Sequence, residues 1–84
     1  MPTSFAADVL PLFRQVDIDH MIPFGVFLNR YAYMSDQTNN HGNASDVLAY
    51  LTGAMQPQMP IGGPYWTPAM LATYRRWMAE GYPP

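Results

Sequence analysis

Two histidines and seven methionines carry most of the metal-binding and acid–base chemistry available to this chain. His20 ends the stretch Val-Asp-Ile-Asp-His, and His41 lies in a segment rich in asparagine. Met55 and Met59 follow later in the chain, close to prolines. Imidazole nitrogen and thioether sulfur together suit copper(I), so these four residues are the candidate metal ligands. Methionine is also a common filler of irregular cores, and the sequence leaves both interpretations open.

Asp17 and His20 form the candidate catalytic pair. They stand three positions apart, a spacing that lets two side chains meet on a helix, where the carboxylate would make the imidazole more basic. No nucleophile stands at a defined spacing from them, so no reaction is indicated. A minimal acid–base enzyme is therefore an alternative. The favoured interpretation is a protein without catalytic activity, in which His20 is a structural residue hydrogen-bonded at a helix end.

Length and composition limit the kinds of partner. The chain has 84 residues, no cysteine, four basic residues that are all arginine, and a formal net charge of −2. This length predicts a single domain over residues 1–84. The lack of a basic cluster argues against nucleic acid, and no apolar run approaches the ~20 residues of a membrane span. No signal peptide follows Met1, so a cytoplasmic protein is expected.

The low charge content favours protein contact. Hydrophobic residues make up 49% of the chain and charged residues 12%, and the cores of protein interfaces are likewise poor in charge. A small domain also cannot hide all its apolar groups, which gives an equally simple explanation. The predicted partner is another protein or a second copy of this chain.

Residues 67–81 contain the clearest helix signal. Thr67 is a suitable N-cap, and the proline after it fits the first helical position, where its missing N–H costs nothing. Gly81 ends the pattern. The apolar residues follow the spacing of one helix face, which predicts that these side chains point inward: Met70, Leu71, Tyr74, Trp77 and Met78.

Three weaker helix signals precede it. The first lies at residues 8–13 and depends on a start near Asp8, because Pro11 is tolerated only in a first turn. The second is a short helix capped by Asn29, with Tyr31 and Met34 inward. The third is capped by Asn43 and ends at Gly53, after a polar loop at residues 36–43. The Gly-Tyr-Pro-Pro ending is predicted to be an exposed terminus.

A long loop separates the third signal from the last helix. Residues 54–66 hold three prolines and a Gly-Gly pair, which regular structure does not tolerate. No alternation typical of a strand is present. The predicted fold is all-α, a bundle of four to five short helices with a long Pro/Gly/Met loop before the C-terminal helix.

This order of elements resembles that of small class I cytochrome c domains over roughly residues 5–82. A short first helix precedes the segment ending in His20, a Met59-Pro60 pair lies in the late loop, and the final helix carries Trp77. In that family a Cys-x-x-Cys-His segment attaches haem covalently, and a late methionine supplies the second axial ligand.

The two attachment cysteines are absent here. Val16 and Asp19 stand at their positions, whereas the histidine is retained. The resemblance would assign His20 and Met59 to a cofactor, either noncovalent haem or copper. The favoured expectation is a haem-free domain whose vacated volume is filled by large side chains: Tyr31, Tyr33, Tyr50, Trp66 and Met55.

The resemblance also implies a role and a surface. A haem-free domain of this kind is expected to be a non-catalytic accessory protein, a partner of a redox or biosynthetic enzyme. In the cytochrome family the late loop lies over the exposed haem edge. The predicted partner-binding residues are therefore those of this loop: Met55, Met59, Pro60, Tyr65 and Trp66.

Overall fold

Four α-helices follow one another in a computed structural model that describes residues 3–60 and 62–84. They are α1 (Gln15–Met21), α2 (Tyr31–Met34), α3 (Thr38–Thr52) and α4 (Pro68–Ala79). A π-helical turn at Phe5–Val9 precedes them, and 3-10 turns occupy Leu10–Leu12 and Ile22–Phe24. The described residues contain no strand, and none of their helices is long and apolar enough to cross a membrane. The all-α prediction is confirmed.

Helix α4 forms as its sequence predicts. The Thr67 hydroxyl accepts a hydrogen bond from the Met70 N–H at 3.2 Å, which satisfies one of the free donors of the first turn. Gly81 follows the helix with a φ of +92°, the left-handed conformation that suits glycine. Tyr74 and Trp77 are fully buried. Local chemistry and packing therefore agree over this helix.

The N-terminal segment turns earlier than predicted. Its helical turn begins at Phe5 instead of near Asp8. The Ser4 hydroxyl accepts from the Ala7 N–H at 3.2 Å, and the Asp8 carboxylate accepts from the Ser4 N–H at 2.8 Å. This reciprocal arrangement caps the turn. Pro11 then lies in the 3-10 turn, beyond which the chain is extended.

The predicted cap and orientation of α2 are partly wrong. Arg30, not Asn29, occupies the cap position, and its side chain makes no capping hydrogen bond. Met34 is fully buried as expected, but Tyr31 is 36% exposed. The Tyr31 hydroxyl instead donates to the Tyr82 carbonyl at 2.5 Å. A long-range hydrogen bond therefore decides its position.

The polar loop predicted at residues 36–43 is confirmed in part, because a kink of three non-helical residues precedes the regular part of α3. Asn39, Asn40 and His41 have φ values of 56°, 58° and 59°, a left-handed conformation that is uncommon outside glycine. Asn43 is not a cap, because its side chain donates to the Tyr33 carbonyl at 3.1 Å. The predicted end of the helix at Gly53 is confirmed by its left-handed φ of 86°.

The C-terminal residues are docked against the N-terminal turn. The Trp77 indole N–H donates to the Pro83 carbonyl at 2.7 Å, and the Phe5 N–H donates to the same carbonyl at 3.1 Å. The Ala6 N–H donates to the Pro84 carbonyl at 3.1 Å. The predicted exposed terminus is therefore right only in part. Gly81 and Pro84 are exposed and Tyr82 and Pro83 are half-buried, but the backbone is docked because its carbonyls supply acceptors that the first turn needs.

Candidate functional site

An open cavity lies between the end of α1 and the long loop. Its volume is about 270 Å³, and it is lined mainly by apolar side chains: His20, Met21, Phe24, Val26, Tyr50, Pro57 and Met59. This size lies just below the range of roughly 300–1,000 Å³ that is typical of small-molecule pockets.

A sharp turn after α1 shapes the mouth of this cavity. Gly25 has a φ of +75°, which glycine adopts without steric cost. The Gly25 N–H donates to the Ile22 carbonyl at 2.9 Å, and the Val26 N–H donates to the Met21 carbonyl at 3.2 Å. These two hydrogen bonds reverse the chain, so that Phe24 and Val26 both border the cavity.

His20 and Met59 border the same space although they are far apart in sequence. His20 lies in the last turn of α1, is exposed, and has its ring centroid 5.9 Å from that of Phe24. Met59 is 7% exposed, and its N–H donates to the Tyr50 carbonyl at 2.9 Å, which ties the loop to α3. The two residues also line a second cavity of about 140 Å³. The two residues therefore border the same open space.

The predicted hydrogen bond of His20 is not observed among the described residues. Asp17 likewise has another partner, because its carboxylate accepts from the Arg14 Nε at 2.8 Å and from the Arg14 Nη2 at 3.1 Å. This hydrogen bonding raises the pKa of the Arg14 guanidinium. Asp17 is 8% exposed, and its bidentate pairing satisfies a nearly buried charge.

The other two candidate ligands lie elsewhere. His41 stacks on Tyr82 with ring centroids 3.9 Å apart and an interplanar angle of 9°, and its Nδ1 is buried without a hydrogen-bond partner in the described structure. Met55 lines a neighbouring cavity of about 200 Å³ that Met59 also lines. Within residues 3–60 and 62–84, no three His, Cys, Asp or Glu side chains group as metal ligands.

The loop residues predicted to bind a partner differ in accessibility. Met59, Pro60 and Trp66 are buried, and Met55 is half-buried. Tyr65 is 53% exposed. Among these five residues, Tyr65 offers the largest accessible apolar surface.

The residues expected to fill the core also separate into two groups. Trp66 is buried, with its ring 5.1 Å from Phe13 and 6.0 Å from Tyr74. Tyr33, Tyr50 and Met55 are half-buried, whereas Tyr31 lies at the surface. Only part of this set therefore contributes to the interior.

Three apolar residues of α1 and of the turn after it are exposed, which was not predicted from the sequence. Val16 is 63% exposed, Ile22 45% and Phe24 70%; together we call them the α1 patch. A signal for two of them was available, because Ile-Pro-Phe-Gly follows a helix end and cannot continue the helix. Ile22 and Phe24 therefore do not belong to an apolar helix face that would pack against the core.

The haem implied by the cytochrome c resemblance does not fit this arrangement. His20 and Met59 border a cavity of about 270 Å³, and haem is larger than the drug-sized ligands that occupy pockets of roughly 300 Å³ or more. At the positions of the two cysteines, Val16 is largely exposed and Asp19 accepts from the Gln15 Nε2 at 2.9 Å in solvent. A single metal ion would need far less room. Comparison with family models, curated proteins and solved structures finds no match to this chain.

Proposed function

We propose that this chain is a non-catalytic interaction domain that binds another protein through the α1 patch. The observation that carries the proposal is the exposure of Val16, Ile22 and Phe24 within nine residues of chain, where Phe24 also lines an open apolar cavity. Phe24 lines one cavity and Val16 lines another. His20 and Met59 line both cavities, so Val16 and Phe24 flank the same pair of residues. Large apolar side chains that remain exposed next to an apolar cavity are typical of a binding surface.

The energetics favour burial of this surface by a partner. Moving one large apolar side chain from water into an interface is worth about 1.5–3 kcal/mol. One carboxylate near the patch, Asp17, is already paired with Arg14, whereas Asp19 is exposed and accepts a hydrogen bond from Gln15. Pairing of Asp17 lowers the desolvation cost of contact at the patch, and Asp19 is best placed at the polar rim of the interface.

A cytochrome c-like origin is part of this proposal. Its support is the order of the elements: His20 on α1, Met59 in the late loop, and a final helix whose Trp77 packs on Phe5 with ring centroids 5.6 Å apart. A haem-free domain of this origin would act as the accessory partner of a redox or biosynthetic enzyme. The exposed Tyr65 is then the alternative contact, at the loop that covers the haem edge in that family.

A peptide-display experiment tests which surface binds. Peptides selected on the wild-type domain are measured against Phe24→Ser, Tyr65→Ser and the exposed α4 control Ala69→Ser. We expect Phe24→Ser to weaken binding at least about tenfold, since the lost burial is worth about 1.5–3 kcal/mol, with an unchanged circular dichroism spectrum. Tyr65→Ser and Ala69→Ser should stay within about twofold of wild type.

Two results would count against the α1 patch. Equal binding by the wild type and Phe24→Ser would remove it from the interface, and loss of binding in Tyr65→Ser alone would move the interface to the loop. Analytical ultracentrifugation of the domain without a partner shows whether the partner is a second copy of this chain. Self-association through the patch should be present in the wild type and disappear in Phe24→Ser.

A copper(I)-binding module is the second candidate. It is favoured by His20 and Met59 bordering two common cavities, with Met21 lining the larger one. Imidazole and thioether donors select soft monovalent copper. Competition with a coloured copper(I) chelator should show stoichiometric binding that Met59→Leu and His20→Ala remove and His41→Ala preserves. Binding that survives Met59→Leu would refute this site, because leucine keeps the apolar volume and lacks the sulfur.

A further inference from the structure

The cavity beside α1 lies next to a second cavity, and the two share part of their lining. The two cavities, of about 270 Å³ and about 200 Å³, share Met21, Val26, Tyr50 and Met59 as lining residues. We call the combined space the α1–α3 groove and these four residues its floor. His20 lines only the first of the two cavities. The four shared residues give both cavities a largely apolar lining.

The second cavity includes an acidic residue in its lining. Asp46 and Tyr33 line it, and Asp46 is exposed. The pKa of the Tyr33 phenol is raised by burial and by the negative charge of Asp46. Asp46 therefore places a negative charge in the lining of the second cavity.

No cation of the described residues neutralises Asp46. The ion pair found among them joins Arg14 to Asp17. Arg30 precedes Tyr33 by three residues in the chain. Its guanidinium lies 4.7 Å from the ring centroid of Phe27, a cation–π contact. The groove consequently offers an apolar floor together with an unpaired carboxylate.

We propose that the α1–α3 groove binds a segment of a partner protein that carries an apolar side chain next to a lysine or arginine. The apolar side chain lies against the floor, and the cation pairs with Asp46. This inference rests on the proposed interaction function and adds to it the sign of charge that the partner must carry. Charge complementarity of this kind selects among partners and excludes acidic ones.

Two matched dipeptides test the charge preference. Acetyl-Phe-Lys-amide and acetyl-Phe-Glu-amide are titrated into the isotope-labelled domain, and binding is followed by NMR through the methyl group of Met59 and the ring of Tyr50. We expect the lysine peptide to bind about two- to fivefold more tightly, the range of an exposed ion pair. Asp46→Asn should abolish this preference, whereas Asp19→Asn, an exposed carboxylate that lines neither cavity, should preserve it.

The outcomes separate this inference from the proposed function. Equal binding of the two peptides, or a preference that survives Asp46→Asn, overturns the role of Asp46 in selecting the partner's charge. Binding at the α1 patch would still be decided separately by Phe24→Ser. Absence of any perturbation at Met59 and Tyr50 overturns the groove as a peptide site. If phenethylammonium binds as tightly as the lysine peptide, the occupant is a small amine and not a protein segment, which also overturns the proposal.

Discussion

The hydroxyl of Tyr74 is predicted to stabilise the packing of α4 on α3. Tyr74 is fully buried, and its hydroxyl donates to the Ala44 carbonyl at 2.8 Å. Replacement by phenylalanine keeps the ring and removes the hydrogen bond. The free energy of unfolding at pH 7 should fall by about 1–2 kcal/mol, because a buried carbonyl loses a partner. A domain of this size would then melt roughly 4–8 °C lower per kcal/mol lost.

The same residue predicts a dependence on alkaline pH. Burial raises the pKa of the Tyr74 phenol far above its ordinary value, which is about 10 in an unfolded chain. Above pH 10 the unfolded state therefore loses a proton that the folded state keeps, so the stabilisation present below pH 10 declines as the pH rises. At about pH 11 this one group should lower the free energy of unfolding by about 1.4 kcal/mol.

Urea unfolding followed by circular dichroism at pH 7 and pH 11 tests both effects. Tyr74→Phe is compared with the wild type, so that Tyr33 and Tyr82, whose pKa values are also raised, contribute equally and cancel. The difference in free energy of unfolding between the wild type and Tyr74→Phe should be about 1–2 kcal/mol at pH 7 and should shrink by about 1.4 kcal/mol at pH 11. The exposed Tyr65→Phe serves as the control and should leave stability unchanged at pH 7. This account would be refuted if the two proteins were equally stable at pH 7, or if the difference in their free energies of unfolding did not change with pH.

Two further substitutions test local features of α3 and α4. Thr67→Ala removes the hydroxyl that accepts from the first turn of α4, and the urea midpoint should fall by the equivalent of about 1 kcal/mol. Gly53→Ala places a methyl group 2.8 Å from the Gln58 Oε1 on a backbone with a φ of +86°, so a loss of about 1–2 kcal/mol is expected from the strained backbone.

Matched variants show whether these losses arise from the stated causes. Thr67→Ser retains the hydroxyl and should remain close to wild type, whereas an equal loss in Thr67→Ser and Thr67→Ala would contradict the capping role. Combining Gly53→Ala with Gln58→Ala removes the close contact and leaves the left-handed backbone. If the double variant recovers full stability, the contact and not the conformation was responsible.

The helix at the C-terminus illustrates what local sequence chemistry can predict. Thr67, the proline after it, an apolar stripe and Gly81 lie within fifteen residues, and each acts on its immediate neighbours. The same local reasoning predicted the end of α3 at Gly53 and the irregular loop after it. Such signals survive in the folded chain because tertiary packing strengthens them instead of opposing them.

The candidate site was predicted only in part. The resemblance predicted that His20 and Met59 belong to one site, and both residues line one cavity. The sequence also paired Asp17 with His20 by helical spacing, but Arg14 takes the carboxylate because its fork-shaped guanidinium forms two hydrogen bonds. The exposure of Phe24 was missed, since apolar residues in a turn have no periodicity that indicates a face.

By itself, the sequence determined an all-α chain, the bounds and inward face of α4, and a long loop before it, because these depend on caps, periodicity and prolines over a few residues. Only the tertiary structure decided that Tyr31 lies at the surface, that the C-terminal carbonyls cap the N-terminal turn, and that the cavities lined by His20 and by Asp46 share four residues. Each of these depends on groups brought together from distant parts of the chain, where the partner of a hydrogen bond or the wall of a cavity cannot be inferred from neighbouring residues.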